Sequence, residues 1–175
     1  MDALQINAYF RSKGYPRVKR QKLLYYAQGW HLAWYGKPLF DDPLVAFEMG
    51  PVVQAVYWSD RDGGAEYQSA PLSGAVLEHV QAVDSYYGRF NGTQLAEMSH
   101  QEAPWLNAWQ KRTPVFNPRP TIRRGQMFTH FSRPDVRGPV KPQAKRKPAP
   151  EDVFAAALDA TQNNLQGVNR LLAER

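Results

Sequence analysis

The sequence predicts a mainly α fold: a compact helical domain with a minor β-hairpin, followed by a C-terminal helix on a Pro-rich linker. Three observations carry that expectation. Apolar and aromatic residues recur at steps of three and four in several segments, the spacing that lines one side of a helix. Strand-like runs are confined to a short stretch around residues 39–47, punctuated by an acidic turn. Residues 133–150 hold five Pro and one Gly, a composition that supports neither a continuous helix nor a central strand. The chain thus divides into a helical domain at 1–132, a basic Pro-rich linker at 133–150 and an amphipathic helix at 151–175.

Residues 2–13 predict a first helix, with Leu4, Ala8 and Phe10 turned inward and Gly14 placed to stop it. A second helix runs from about Arg17 to Tyr35, where Leu23, Leu24, Ala27, Trp30, His31 and Trp34 form an apolar stripe and Gly36-Lys37-Pro38 ends the ladder. Leu39-Phe40 and Leu44-Val45-Ala46-Phe47, on either side of Asp41-Asp42-Pro43, read as the two pieces of a small hairpin. A third helix is expected from Pro51 to about Ser59, because Pro suits the first position of a helix. Residues 60–71 form a polar, Gly-bearing surface loop. Ser73 can cap a helix facing inward through Val76, Leu77, Val80, Val83 and Tyr87. Asn91-Gly92 turns the chain and Thr93 caps a helix carrying Leu95, Ala96 and Met98; Pro104 begins the next. A last body helix, about Thr121 to Phe131, offers Ile122, Met127, Phe128 and Phe131 to the core.

Composition narrows the function classes. A chain of 175 residues that is 43% hydrophobic, with 5 Trp, 9 Tyr and 8 Phe, can bury one real core and an appendage. The absence of Cys excludes disulfides, thiolate zinc sites and a cysteine nucleophile. The first residues lack the basic start and long apolar run of a signal peptide, and no run is long enough for a membrane span. The expected setting is the cytoplasm, without a membrane. Net charge is +6, and residues 133–150 supply +5 of it from six Lys or Arg against one Asp. A second basic run, Arg11, Lys13, Arg17, Lys19, Arg20 and Lys22, contains no acid. It reads first as a solvated face around a helix start, and otherwise as a dock for an acidic partner or RNA.

No catalytic chemistry is legible. His31, His79, His100 and His130 lack metal-ligand spacing, and no HExxH pair occurs. Phosphate-cradling glycine loops and the nucleophile elbow lack their signatures as well. Asp41 and Asp42 are adjacent in an extended piece and point to opposite faces, which suits a turn better than an acid and base facing one substrate. The expectation is a protein that is not an enzyme and has no cofactor or metal. Trp30, Trp34 and Tyr35 could form a ligand platform, although core packing is the better reading of an aromatic stripe. Lys22 and Gln28 should then lie at the edge of that packing and bond neighbouring loops.

Four motifs in fixed order carry a family resemblance: Gln21-Lys22-Leu23-Leu24-Tyr25-Tyr26-Ala27-Gln28-Gly29-Trp30-His31, Gly36-Lys37-Pro38-Leu39-Phe40, Gly50-Pro51-Val52, and His100-Gln101-Glu102-Ala103-Pro104-Trp105. Over roughly residues 1–132 the chain resembles the Panacea (SocA-like) antitoxin domain family. The resemblance implies a helical, non-enzymatic module, often phage- or prophage-associated, that neutralises a toxin encoded beside it. It also implies that the signature positions Lys22, Leu23, Tyr26, Gln28, Trp30, His31, Gly50, Pro51, Val52 and Trp105 are structural. A SocA-like member is known as a proteolytic adapter delivering its toxin to a protease. Two readings therefore stand beside toxin neutralisation: that adapter role, and a nucleic-acid-binding regulator whose basic runs hold phosphates.

The resemblance does not cover the tail. There, Phe154, Leu158, Thr161, Leu165, Val168 and Leu172 alternate at steps of four and three, a seam weakened by Thr161 and Gly167. Such a helix needs a partner surface: its own body, a copy of itself in a homodimer, or another protein. Tethered by a linker that carries Lys145, Arg146 and Lys147, it suits a clamp laid into a groove on the toxin.

Overall fold

The computed structural model describes residues 1–62, 71–111, 119–137 and 141–144. Among them are eight helices and one two-stranded hairpin. Helix α1, Ala3–Ser12, is capped by Asp2, whose carboxylate accepts the Gln5 N–H. Its start is also pinned by Asp42, which accepts the Ala3 N–H at 2.8 Å. Helix α2, Arg17–Tyr35, closes on Gly36, whose φ of 67° lies in the left-handed region that glycine tolerates. Asp41 and Asp42 are turn residues: Asp41 pairs with Arg124 at 3.0 Å.

The helix α2 stripe is wider than periodicity implies. Every residue from Lys19 to Trp30 is buried, so α2 is an axis surrounded by other elements rather than a helix with one inner face. Its cationic start is inside too. Arg20, 7% exposed, donates to both carboxylate oxygens of Asp60 at 2.7 Å, to Asn7 Oδ1 at 2.9 Å and to the Tyr15 carbonyl. That bidentate pair satisfies both buried charges and fastens α1 and α2 to helix α3, Gln54–Arg61.

The hairpin forms one step later in the chain than expected. Strand β1, Leu44–Phe47, pairs antiparallel with β2, Gly50–Val53, in a register that sets Leu44 opposite Val53 and Phe47 opposite Gly50. The turn is Glu48-Met49. Leu39-Phe40 is no strand, because its backbone bonds go to a side chain described below. Pro51 does not open a helix either, since its fixed φ suits an extended residue equally well. Gly50 decides the matter. Its φ of +90° is strained for other residues, and a Cβ there would stand 2.6 Å from Ser99 Oγ and 2.9 Å from Lys22 Cε.

The free edge of β1 is covered by residues 120–122: Ala46 donates to the Pro120 carbonyl and Ile122 to the Leu44 carbonyl. Ile122 is therefore buried from an extended segment, and the last body helix, α7, begins only at Arg124 and runs to Ser132. Helix α4 spans Gly74–Tyr87, with Val80, Val83 and Tyr87 buried as expected and Val76 and Leu77 half-buried; the Ser73 side chain makes no cap bond. Helix α5, Gly92–His100, is capped by Asn91 rather than Thr93, through a reciprocal pair of bonds with Gln94. Helix α6, Ala103–Trp109, has Pro104 in its first turn.

Helices α2 and α7 meet at Gly29. A Cβ at that position would overlap the Phe131 ring, which packs edge-on to Tyr25, Trp30 and Tyr26. Trp30 is fully buried and Trp34 is 5% exposed, so both belong to the core. After α7 a short turn, α8, Pro134–Arg137, sends the Arg137 guanidinium to the Ala33 carbonyl at 2.7 Å. Lys141 lies 5.0 Å from the Tyr86 ring centre, Pro142 is buried and Ala144 packs on the core.

Two outcomes follow. Gly29→Ala is expected to destabilise the fold by about 1 to 3 kcal/mol, the cost of overpacking a filled core. Thermal denaturation checks it, and a variant that also carries Phe131→Leu should recover part of the loss. A chain ending at Ala144 should melt cooperatively near the parent temperature, whereas one ending at Ser132 should melt lower, because it loses the Arg137, Pro142 and Ala144 contacts.

Candidate functional site

Three polar side chains of α2 supply hydrogen bonds to the backbone of residues 39–53. Gln21 acts as a short strand beside β2, accepting the Val53 N–H at 2.8 Å and donating to its carbonyl at 3.4 Å. Lys22 donates to the Pro51 carbonyl at 2.8 Å. Gln28 accepts from the Leu39 and Phe40 N–H groups and donates to the Phe40 carbonyl at 2.9 Å. Unpaired buried amides would be costly, and these are groups of the segment that α2 side chains pair in addition to the ladder between β1 and β2. Lys22 and Gln28 do bond neighbouring loops, but from the interior: each is 1% exposed. Burial pushes the Lys22 amine down to about 7, and no carboxylate pairs with it among the described residues.

A second cluster is organised by Glu102, in the loop before α6. Its carboxylate accepts from Tyr25 Oη at 2.7 Å and Tyr26 Oη at 3.2 Å, and His130 Nε2 lies 4.0 Å away. Burial raises Glu102 to about 7; the two tyrosine hydrogen bonds and the Lys141 charge oppose that rise. Burial also raises both tyrosines well above their ordinary range, so their hydroxyls stay protonated donors. Tyr26 stacks on Tyr87 with ring centres 3.8 Å apart, and Tyr87 Oη accepts from Trp30 Nε1 at 3.1 Å. Trp105 stacks on His100 and donates to the Phe47 carbonyl at 3.0 Å, tying α6 to the hairpin.

His79 is a further interior group. Its Nε2 pairs with the Ala27 carbonyl at 2.8 Å, and burial, then the nearby His31, pushes it down to about 3. It is therefore neutral at pH 7 and donates to Ala27. His31 is half-buried, with Nδ1 2.7 Å from the Lys37 carbonyl and its ring edge-on to His79. Among the described residues no three His, Asp or Glu side chains converge as metal ligands, and no helix is long and apolar enough to cross a membrane.

The interior bracing maps onto a known sequence pattern. Residues 21–106 match the family model described as antitoxin SocA-like, Panacea domain. The chain carries a SocA-like Panacea domain. Comparison with the curated proteins and with the solved structures gives no match. The Panacea match begins at Gln21, the first α2 side chain that bonds β2, and ends one residue after Trp105, whose indole holds the hairpin. Within it Lys22, Leu23, Tyr26, Gln28 and Trp30 are buried on α2, His31 is half-buried, Gly50, Pro51 and Val52 lie in β2, and Trp105 is buried and bonds the Phe47 carbonyl of β1. The tail positions Phe154, Leu158, Leu165, Val168 and Leu172, with Lys145, Arg146 and Lys147, lie outside the described residues.

The Panacea domain also presents an outward apolar face that sequence reading missed. Met49 at the hairpin tip is 52% exposed and Trp58 on α3 is 49% exposed. The Phe47 and Tyr57 ring centres are 5.1 Å apart, as are those of Tyr57 and Trp58, while the Arg119 guanidinium covers Phe47 at 4.1 Å. Only the true register of the hairpin puts Met49 at a tip, so an assignment that ended the hairpin at Phe47 hid it.

Glu102→Gln should isolate one pH-dependent term. A carboxyl raised from 4.5 unfolded to about 7 folded binds more protons in the folded state, so its stabilising contribution is full below about 4.5 and is lost as pH rises through 7. The parent should therefore lose about 2 to 3 kcal/mol relative to the Gln variant between acid and neutral pH. Denaturant titrations of both proteins across that window check it; parallel profiles would contradict the assignment.

Proposed function

We propose that this chain is an antitoxin that binds and neutralises a cognate toxin protein, acting by contact and without catalysis. The observation that carries the reading is the Panacea match over residues 21–106, whose family is described as antitoxin-like. Physical support comes from the placement of the motif residues. The polar side chains that look most like chemistry in sequence, Lys22, Gln28 and Glu102, are engaged with backbone or tyrosine partners inside the fold. That leaves surface elements to meet a partner.

Two such elements are candidates. The face built from Met49, Tyr57 and Trp58 offers aromatic and thioether anchors of the kind that dominate protein interfaces. The tail supplies the second, a clamp in which the seam of Phe154, Leu158, Leu165, Val168 and Leu172 enters a groove on the toxin while Lys145, Arg146 and Lys147 steer association. The toxin is the product expected from an adjacent reading frame in a prophage-like setting, and inhibition is by occlusion. Delivery of the toxin to a protease would use the same contacts and differ only in the toxin's lifetime.

Co-expression with the adjacent gene product tests this. The parent should restore growth and co-purify with that product. Leu158→Asp together with Leu165→Asp should weaken the complex by several kcal/mol, roughly the cost of burying unpaired charge, with an unchanged melting curve for the body. Neutralising Lys145, Arg146 and Lys147 should act less, and mainly through a salt-dependent association rate. Undiminished binding by the double-Asp chain would remove the clamp. Failure of the parent to protect or to bind would remove the antitoxin reading.

A further inference from the structure

The basic run at 11–22 splits in the fold. Lys19, Arg20 and Lys22 turn inward, while Lys13 and Arg17 stay exposed at the turn between α1 and α2. A third cation joins them from far along the chain: Arg89, exposed in the turn between α4 and α5. The two turns are locked together. Lys19 Nζ donates to the Gly88 carbonyl at 2.6 Å and lies 3.7 Å over the Tyr15 ring. Gly92 approaches the backbone of Lys19 so closely that a Cβ would stand 3.1 Å from its nitrogen.

Two of the outward cations, Lys13 and Arg89, rest on aromatic rings. Arg89 lies 4.2 Å over Tyr86 and 5.0 Å from Phe90, and Lys13 lies 5.5 Å from the Tyr9 ring centre. Among the described residues none of Lys13, Arg17 and Arg89 pairs with a carboxylate. The local acid, Asp84, is half-buried and faces Tyr9, Tyr15 and Lys19. The exposed surroundings, Ser12, Gly14, Pro16, Asn91, Thr93 and Gln94, contain no acid, and Asn91, Thr93 and Gln94 carry polar side chains.

We infer that the corner formed by Lys13, Arg17 and Arg89 binds the phosphate backbone of a nucleic acid without reading its sequence. A protein partner would want an apolar centre, and Val18, 41% exposed, is the sole large hydrophobic in this corner's turns to stand open among the described residues. A phosphate backbone asks only for fixed cations and polar donors. The aromatic rings have cations over them, so they brace charge instead of stacking bases, and that removes the usual source of base preference. This goes beyond the antitoxin reading and does not rest on it.

The test is fluorescence anisotropy of the full chain with labelled duplex DNA and single-stranded RNA of about 20 nucleotides, between roughly 50 and 200 mM KCl. The parent should bind at least one of the two. Lys13→Glu, Arg17→Glu and Arg89→Glu together should lower affinity at least tenfold. They should also make the slope of log affinity against log salt shallower by about 2 to 3, near one unit per lost phosphate contact. Lys13→Gln with Arg17→Gln leaves the Arg89 stack intact and should give an intermediate slope at the parent's melting temperature, which separates charge loss from misfolding. A chain with Lys145, Arg146 and Lys147 changed to Gln reports the tail's share. Absence of parental binding at about 50 mM overturns the inference, as does parental affinity in the corner variants with loss confined to the tail variant. Loss of a co-purifying protein with nucleic-acid affinity intact would overturn it too, and assign the corner to an acidic protein face.

Discussion

The fold is built on polar side chains in a helix whose stretch from Lys19 to Trp30 has no solvent face. Because α2 is surrounded, Gln21, Lys22 and Gln28 must be satisfied inside, and residues 39–53 present backbone groups that no regular element pairs. Each deficit answers the other. Gln21 and Gln28 each offer a donor and an acceptor, which is what a peptide group needs, and Lys22 offers a donor to the carbonyl of Pro51. A half-satisfied network of this kind would be worse than an apolar core, so its register is strongly specified. Gly50 is part of the same constraint, since only a residue without Cβ leaves room for the Lys22 stem and Ser99.

Two buried ionisable groups, Glu102 and Lys22, sit near neutrality for one physical reason, desolvation, acting in opposite directions. It raises Glu102 to about 7 and lowers Lys22 to about 7. The Glu102 contribution to stability falls as pH rises toward 7, and the Lys22 contribution falls as pH drops from its unfolded value of 10.5 toward 7. Both penalties are nearly complete around neutral pH. The tyrosine hydroxyls at Glu102 limit its penalty, since hydrogen bonds to the charged form favour it. His79 behaves otherwise: held neutral, it works as a plain donor within the core.

Legibility in the sequence follows the range of the interactions. Helices α1, α2, α5 and α6 could be placed from local signals: apolar spacing, Gly14 and Gly36 as stops, Asn91 and Pro104 near starts. Gly50-Pro51-Val52-Val53 misled because proline's φ serves a helix start and an extended residue alike, and the choice rests on Lys22 and Ser99, which lie far off in the chain. Arg20 with Asp60 and Glu102 with Tyr25 are separated by 40 and 77 positions, beyond any periodic pattern. The bracing residues were visible as a family signature, yet composition suggested an edge location for Lys22 and Gln28, since polar groups so completely buried are uncommon. The tail seam was read from spacing alone.

Interior and exterior polar groups therefore differ in what they contact. Within the Panacea match Gln21, Lys22 and Gln28 of α2 are committed to holding backbone. The connections between these elements reach the surface: the Glu48-Met49 tip, the turn between α1 and α2, and the turn between α4 and α5. These connections differ in character. The hairpin tip and α3 expose a thioether and an indole, suited to an apolar partner surface, whereas the two helical turns expose cations braced on rings, suited to an extended anion. A frame that fixes its turns through buried backbone contacts can present both kinds of surface without altering its core.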